Sequence, residues 1–141
     1  MKLPKITVRP GGYIGCAAAI LILPIRWLCC AAIAALVHEL AHMAALYLLR
    51  IPIRQVEIGL TGAKIHIPDL SPGQEILCAA AGPFASLILL FLTPIAPVLA
   101  LFGLVQGLFN LLPIYPLDGG RIFRGILTLA KTAHCRYNSV E

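Results

Sequence analysis

Charged side chains are scarce in this chain. Lysine and arginine number 11 and aspartate and glutamate 6, so only 12% of the 141 residues are charged, while 60% are hydrophobic. Soluble domains are closer to half apolar and a quarter charged, so the composition excludes an ordinary soluble domain and predicts an integral membrane protein. The net charge of +5 fits basic residues that flank membrane spans. Since no nucleic-acid-binding motif is present, no nucleic-acid partner is expected.

Paired cysteines are also missing. The odd number, five, and the absence of a CxxC spacing argue against a disulfide framework. Four of the five lie in apolar stretches, where a free thiol behaves as a small apolar side chain. We therefore predict free thiols at Cys16, Cys29, Cys30, Cys78 and Cys135.

Long apolar runs are what the chain has instead. They predict spans at about 13–25, 27–49, 76–92 and 98–112, the second with the ~20 residues that a bilayer requires. The expected fold is an all-α polytopic membrane protein forming one domain over 1–141, with an uncleaved first span and no CBS or PDZ domain. Prolines between the last two spans leave room only for a tight helical hairpin.

Two features interrupt this helical pattern. Apolar and polar residues alternate around Val56 and Ile58, and Gly62 lies in a turn sequence, which predicts a small membrane-associated β-hairpin at about 54–67. Proline inside a helix removes a hydrogen bond, so the Gly82-Pro83 pair predicts a kink in the third span.

Basic residues predict the orientation. If the N-terminus is cytoplasmic, ten of the eleven lysines and arginines fall inside and only Arg26 falls outside. The positive-inside rule therefore predicts cytoplasmic N- and C-termini.

Polar residues in the second span are the candidate metal ligands and general base. His38 and His42 are four residues apart, so they share one helix face and can bind one metal ion. Glu39 between them completes the HExxH pattern of zinc hydrolases, in which glutamate is the general base. Three unpaired polar groups in hydrocarbon would be costly, which favours a function over a structural role.

A catalytic zinc takes three protein ligands and keeps one open position. Asp118, just past the fourth span, is the acidic residue whose position in the topology fits. Two spans separate it from His42, so both lie toward the same membrane face. It reaches the histidines if Pro113 and Pro116 end the fourth helix and the LDGG segment folds inward.

Two motifs resemble one known family. HELAH at 38–42 and NLLPIYPLDGG at 110–120 look like the signatures of the site-2 proteases, the intramembrane zinc metalloproteases of peptidase family M50, and Gly82-Pro83 fits the same pattern. Within that family KITVRP near the start of the chain and LLPIYPLDGG resemble most closely the sporulation branch, that of stage IV sporulation protein FB. Ser86 lies near a position that is sometimes asparagine in the family.

The resemblance implies roles by position. His38, His42 and Asp118 would bind one Zn²⁺ per chain, Glu39 would be the base, and Asn110 would orient the substrate or stabilise the oxyanion, with an interhelical hydrogen bond as its structural alternative. Further roles are implied elsewhere. Gly119 and Gly120 would permit a turn behind Asp118, and the hairpin would hold an extended substrate near Val56, Ile58 and Gly62.

The expected function is an intramembrane zinc metalloendopeptidase in a bacterial inner membrane. It would cleave a membrane-tethered protein, such as a sporulation sigma factor precursor, near the cytoplasmic face. Expected partners are this substrate, the lipid bilayer, and either a regulatory membrane protein or further copies of the chain. A catalytically silent relative, a membrane metal-binding protein and a structural or haem-binding helical protein remain as alternatives.

Overall fold

The computed structural model describes residues 5–8, 21–22, 24–52, 55–59, 62–66 and 69–138. The described part of the chain is mostly helical, as predicted. Its helices are α1 (Ile25–Leu48), α2 (Pro72–Ile88), α3 (Pro97–Asn110) and α4 (Asp118–Asn138), and its strands are β1 (Lys5–Val8), β2 (Gln55–Gly59) and β3 (Gly62–His66).

Helix α1 carries its buried side chains in a single stripe. Ala34, His38, His42 and Leu46 are buried, and their four-residue spacing places them on one face. Much of the remaining surface is apolar and exposed, as Leu36 and Leu40 show. The helix therefore packs along a narrow line that includes both histidines.

Among the residues that the structure describes, two helices are long and apolar enough to cross a membrane. They are Ile25–Leu48 and Pro72–Leu92, the second counting the 3₁₀ helix Leu89–Leu92 that continues α2. Only 17% and 33% of their most apolar windows are buried, whereas a core helix of a soluble protein would be mostly buried. Both agree closely with predicted spans, and most of the predicted first span, 13–25, lies outside the described residues.

Helix α2 begins at a capping box. Ser71 Oγ accepts a hydrogen bond from the Gln74 backbone N–H, and Ser71 N–H donates to Gln74 Oε1 at 3.1 Å. Pro72 occupies the first helical position, where its missing N–H costs nothing. These local signals begin the helix four residues before the predicted span.

Helix α3 packs against α2 through glycines. A Cβ on Gly103 would lie 2.6 Å from the Ser86 carbonyl oxygen, and one on Gly107 would lie 3.2 Å from the Pro83 carbonyl oxygen. The two backbones therefore approach where only glycine fits, as small-residue motifs of membrane helices allow.

The three strands form one sheet in the order β1-β2-β3, with β1 parallel and β3 antiparallel to β2. Strands β2 and β3 fall within the predicted hairpin, but residues 60–61 between them lie outside the described part. The hairpin as a whole, and its place at the membrane face, therefore stay predictions.

Helix α4 was not predicted. The sequence predicts a turn at Gly119 and Gly120, whereas the chain is helical from Asp118 to Asn138. The turn interpretation is wrong because both glycines belong to the first helical turn. Gly125 explains the close packing on α2, since a Cβ there would lie 2.7 Å from Ile76 Cγ1.

Candidate metal centre

The two histidines of α1 point their Nε2 atoms at each other. The Nε2 atoms of His38 and His42 are 3.1 Å apart, and the side chains are buried. The rings meet edge to face, with centroids 4.8 Å apart. The i,i+4 spacing on a buried helix face thus produces two converging nitrogen donors.

Asp118 completes the cluster from the first residue of α4. Its Oδ2 lies 3.2 Å from Nε2 of His38 and 3.2 Å from Nε2 of His42. The irregular segment 111–117 returns the chain from the end of α3, and it contains the cis Tyr115-Pro116 peptide bond. The break between the two helices, predicted from Pro113 and Pro116, brings the carboxylate to the histidines.

Close backbone packing holds this segment in place. A Cβ on Gly119 would lie 2.1 Å from the Leu111 carbonyl oxygen, and one on Gly120 would lie 2.6 Å from the Ile114 carbonyl carbon. Real Cβ atoms do not approach backbone this closely. The two glycines therefore allow α4 to begin directly against the loop before it.

The three donor atoms fit a tetrahedral metal ion. Their separations of 3.1, 3.2 and 3.2 Å form a nearly equilateral triangle. Zinc binds histidine nitrogen and carboxylate oxygen at about 2.0–2.1 Å, so neighbouring ligands of a tetrahedron are about 3.3 Å apart. His38, His42 and Asp118 can therefore hold zinc and leave its fourth position open, as catalytic sites do.

Helix α2 fixes the orientation of both histidine rings. His42 Nδ1 is 2.7 Å from the Cys78 carbonyl oxygen, which can only accept, so Nδ1 carries the proton and Nε2 is available to a metal. His38 Nδ1 is 2.9 Å from Ser86 Oγ, and the hydroxyl accepts in the same tautomer. Such outer partners orient metal-binding histidines and set their tautomer.

Gly82 creates the space between these two partners. A Cβ at this position would lie 2.2 Å from His42 Nε2 and 2.7 Å from His38 Nε2. Pro83 follows inside the helix and is fully buried. Gly82 thus does more than loosen the helix, because it lets α2 approach the donor atoms of both histidines.

The two predicted catalytic residues lie on α1 and α3. Glu39 follows His38 directly and is half-buried. Asn110 ends α3 and donates from Nδ2 to the Gln106 carbonyl oxygen at 3.0 Å. This bond lies within one helix, so it is not the interhelical bond considered as an alternative, and the role of Asn110 at an oxyanion stays a prediction.

The predicted substrate-binding residues lie on the sheet. Val56 and Ile58 belong to β2, which pairs with β1 on one side and β3 on the other, while Gly62 begins β3. Within the described residues, an added strand would pair with an outer edge of β1 or β3. The expectation that the hairpin holds an extended substrate near Val56, Ile58 and Gly62 stays a prediction.

Sequence reasoning missed the role of Ser86, and it treated Cys78 only as a small apolar residue. The signal was present in the spacing of Cys78, Gly82 and Ser86, which recur every four residues on one face of α2. The regular spacing marks a helix contact, but it does not reveal that the contacting groups are histidines.

Comparisons with known proteins agree with this geometry. The family model described as Peptidase family M50 matches residues 90–140. Zinc metalloprotease MJ0392 of Methanocaldococcus jannaschii is 28% identical over 110 residues, covering 68% of this chain and 32% of the relative. The protein named "Putative zinc metalloprotease sll0528" of Synechocystis is 32% identical over 106 residues, covering 64% of this chain and 28% of the relative. The chain thus spans about a third of these relatives' length.

The fold has a solved counterpart. The structure of the site-2 protease from Methanocaldococcus jannaschii superposes with a TM-score of 0.74, covering 91% of this chain and 70% of that chain at 22% identity. At this identity the likeness concerns the fold. The chain is thus similar to the family model of Peptidase family M50 over part of its length and to a site-2 protease in its fold.

Proposed function

We propose that the chain is a zinc metalloendopeptidase of the site-2 protease type. The observation that carries the proposal is the buried triangle of His38 Nε2, His42 Nε2 and Asp118 Oδ2, with sides of 3.1–3.2 Å. A buried carboxylate beside two imidazoles is costly unless it is paired or binds a metal. The similarity to relatives named zinc metalloproteases supports zinc as that metal.

The chain's own residues supply the remaining chemistry. When bound, zinc polarises the scissile carbonyl and lowers the pKa of a water toward ~7. Glu39, next to a ligand on α1, accepts the proton of this water and delivers it to the leaving amine. Asn110 is proposed to orient the substrate or stabilise the developing oxyanion, as amide donors can. For this role its side chain would leave the Gln106 carbonyl.

The proposed substrate is a membrane-tethered protein cut near the cytoplasmic face. Helix α1 ends at Leu48, six positions after His42, which is roughly 9 Å along a helix. Basic residues follow that end, so the site is proposed to lie at shallow depth on the cytoplasmic side. Because helical peptides hide their carbonyl groups, the substrate must unwind locally, and an outer edge of the sheet can receive it by β-strand addition.

The finer assignments rest on sequence motifs and, for the orientation, on the positions of the basic residues. We propose a bacterial inner membrane with both termini cytoplasmic, and a sporulation sigma factor precursor as the substrate. Regulation would come from a second membrane protein or from further copies of the chain. The resemblance of the KITVRP and LLPIYPLDGG segments to the sporulation branch supports the proposed substrate and membrane, and the distribution of basic residues supports the orientation.

The test combines metal content with cleavage. The full chain is purified in detergent, zinc per chain is measured, and a membrane-tethered sigma factor precursor is offered to wild type and Glu39→Gln. The exposed Asp69 lies between β3 and α2, so Asp69→Asn is the control. We expect one zinc in all three proteins, and cleavage slowed about 10²–10⁴-fold in Glu39→Gln alone.

The outcomes separate the parts of the proposal. Wild type without zinc overturns the metal site and the activity together. Wild type with zinc that cleaves no membrane-tethered protein identifies a catalytically silent metal-binding relative. Equal cleavage by wild type and Glu39→Gln removes Glu39 as the base and leaves the zinc site intact.

A further inference from the structure

One face of α2 serves the metal centre along its length. Cys78, Gly82 and Ser86 meet the two histidines there. Glu75, three residues before Cys78, continues the same face into the first helical turn, because residues three and four apart are neighbours on a helix. Glu75 has no role in the proposed zinc chemistry.

Glu75 binds two arginines of α4. Arg124 Nη2 donates a hydrogen bond to Glu75 Oε1, and Arg121 Nε lies 3.8 Å from the same oxygen. The Glu75 side chain is only 15% exposed. A carboxylate so far withdrawn from water depends on its cationic partners more than a surface carboxylate does.

Arg121 also faces the candidate ligand. Its Nη1 lies 4.0 Å from Asp118 Oδ1, the oxygen that does not contact the histidines. The two carboxylate oxygens are therefore divided: Oδ2 faces the histidines and Oδ1 faces the guanidinium. The Asp118 side chain is 11% exposed and that of Arg121 is 30% exposed, so water screens this charge pair less than it screens a fully exposed pair.

The packing of the helices explains why the ion pairs of Arg121 matter for the position of Asp118. Asp118 lies on α4, whose main neighbour is α2, while among the described elements α1 and α4 share little packing of their own. Besides the segment 111–117 that joins it to α3, packing on α2 therefore sets the position of Asp118 relative to the histidines. The Glu75–Arg121 pair is a polar connection between α2 and the turn of α4 that carries Asp118.

We propose that Arg121, held by Glu75, is the positioning residue for Asp118. It orients the carboxylate so that Oδ2 faces the histidines, as the Cys78 carbonyl and Ser86 hydroxyl orient the two imidazoles. The proposal rests on the metal centre of the proposed function. Arg124 provides a matched control, because it shares Glu75 but places its guanidinium over the Tyr115 ring at 5.8 Å.

The test measures metal binding rather than cleavage. Zinc affinity is determined by chelator competition on the purified full chain, and the visible absorption of the Co²⁺-loaded protein reports ligand geometry. Loss of an outer-shell partner typically weakens metal affinity 10–100-fold. We expect about 10-fold weaker binding and an altered Co²⁺ spectrum for Arg121→Gln and Glu75→Gln, smaller changes for Arg121→Lys, and wild-type behaviour for Arg124→Gln.

Several results would overturn the positioning role. Equal zinc affinity in Arg121→Gln and wild type does so, and so does an equal loss in Arg121→Gln and Arg124→Gln, which indicates a general effect on α4. If Arg121→Gln does not fold, Glu75→Gln and Arg121→Lys decide by the same measurements. A wild-type protein that binds zinc without cleaving any substrate overturns the proposed function but leaves this role standing.

Discussion

A single added methyl group should disable the metal centre. In Gly82→Ala the new Cβ would lie 2.2 Å from His42 Nε2 and 2.7 Å from His38 Nε2. Non-bonded atoms of this kind rest about 3.5 Å apart. The imidazole of His42 must therefore move by roughly 1 Å or more. This movement displaces Nε2, the nitrogen that would bind the metal.

The expected loss of zinc affinity follows from the hydrogen bonds that the two imidazole rings lose. Zinc lies about 2.0–2.1 Å from its nitrogen ligands, so the methyl group occupies the space beside both donors. The rings can turn away only by leaving the Cys78 carbonyl and the Ser86 hydroxyl, each worth about 10–100-fold in metal affinity. We expect zinc affinity to fall at least ~100-fold. Because the clash involves side-chain atoms, the helices should still pack.

Gly73→Ala provides the control on the same helix, since a Cβ there meets nothing within 4 Å. Zinc affinity is measured by chelator competition and helix content by circular dichroism, for both variants and wild type. We expect wild-type helix content in both variants and weak zinc binding in Gly82→Ala alone. A Gly82→Ala protein that binds zinc as tightly as wild type would refute the placement of Gly82 against the histidines.

Three further changes probe the surroundings of the site. Ser86→Ala removes the acceptor of His38 Nδ1 and should weaken zinc binding about 10-fold by chelator competition; unchanged affinity would contradict the assigned tautomer. Gly119→Ala places a Cβ 2.1 Å from a backbone oxygen, so it should lower zinc affinity and also the unfolding temperature of the metal-free protein. Gly82→Ala should leave the unfolding temperature of the metal-free protein unchanged. Zinc at 100 times its Kd should stabilise wild type by about 2.7 kcal/mol, and a melting curve that does not respond to zinc would show that the folded state does not bind it.

Much of the site could be predicted from the sequence because its strongest signal is local. His38 and His42 need only a helix to share a face, and a long apolar run ensures one. Asp118 lies 76 residues beyond His42, yet membrane topology limits which acidic residues can reach the same side. A chain with only six acidic residues leaves few candidates.

The surroundings of the ligands could not be predicted in the same way. Which face of α2 meets the histidines depends on helix rotation, and spacing alone does not fix it. Helix α4 was missed because Gly119 and Gly120 are poor helix formers, and their tight contact with the Leu111–Ile114 backbone appears only in three dimensions. Strand β1 pairs with β2 across about fifty residues, and no local pattern specifies such a partner.

The ligand set also has a consequence for the stability of the chain. His38 and Asp118 are separated by 80 positions, and the helices that carry them share little packing. A metal ion held by both would close a long loop of the unfolded chain, as a disulfide does. In the chain-entropy account, a covalent bridge over 100 residues is worth about 4.7 kcal/mol. The ion that serves chemistry would then also act as a cross-link between α1 and the start of α4.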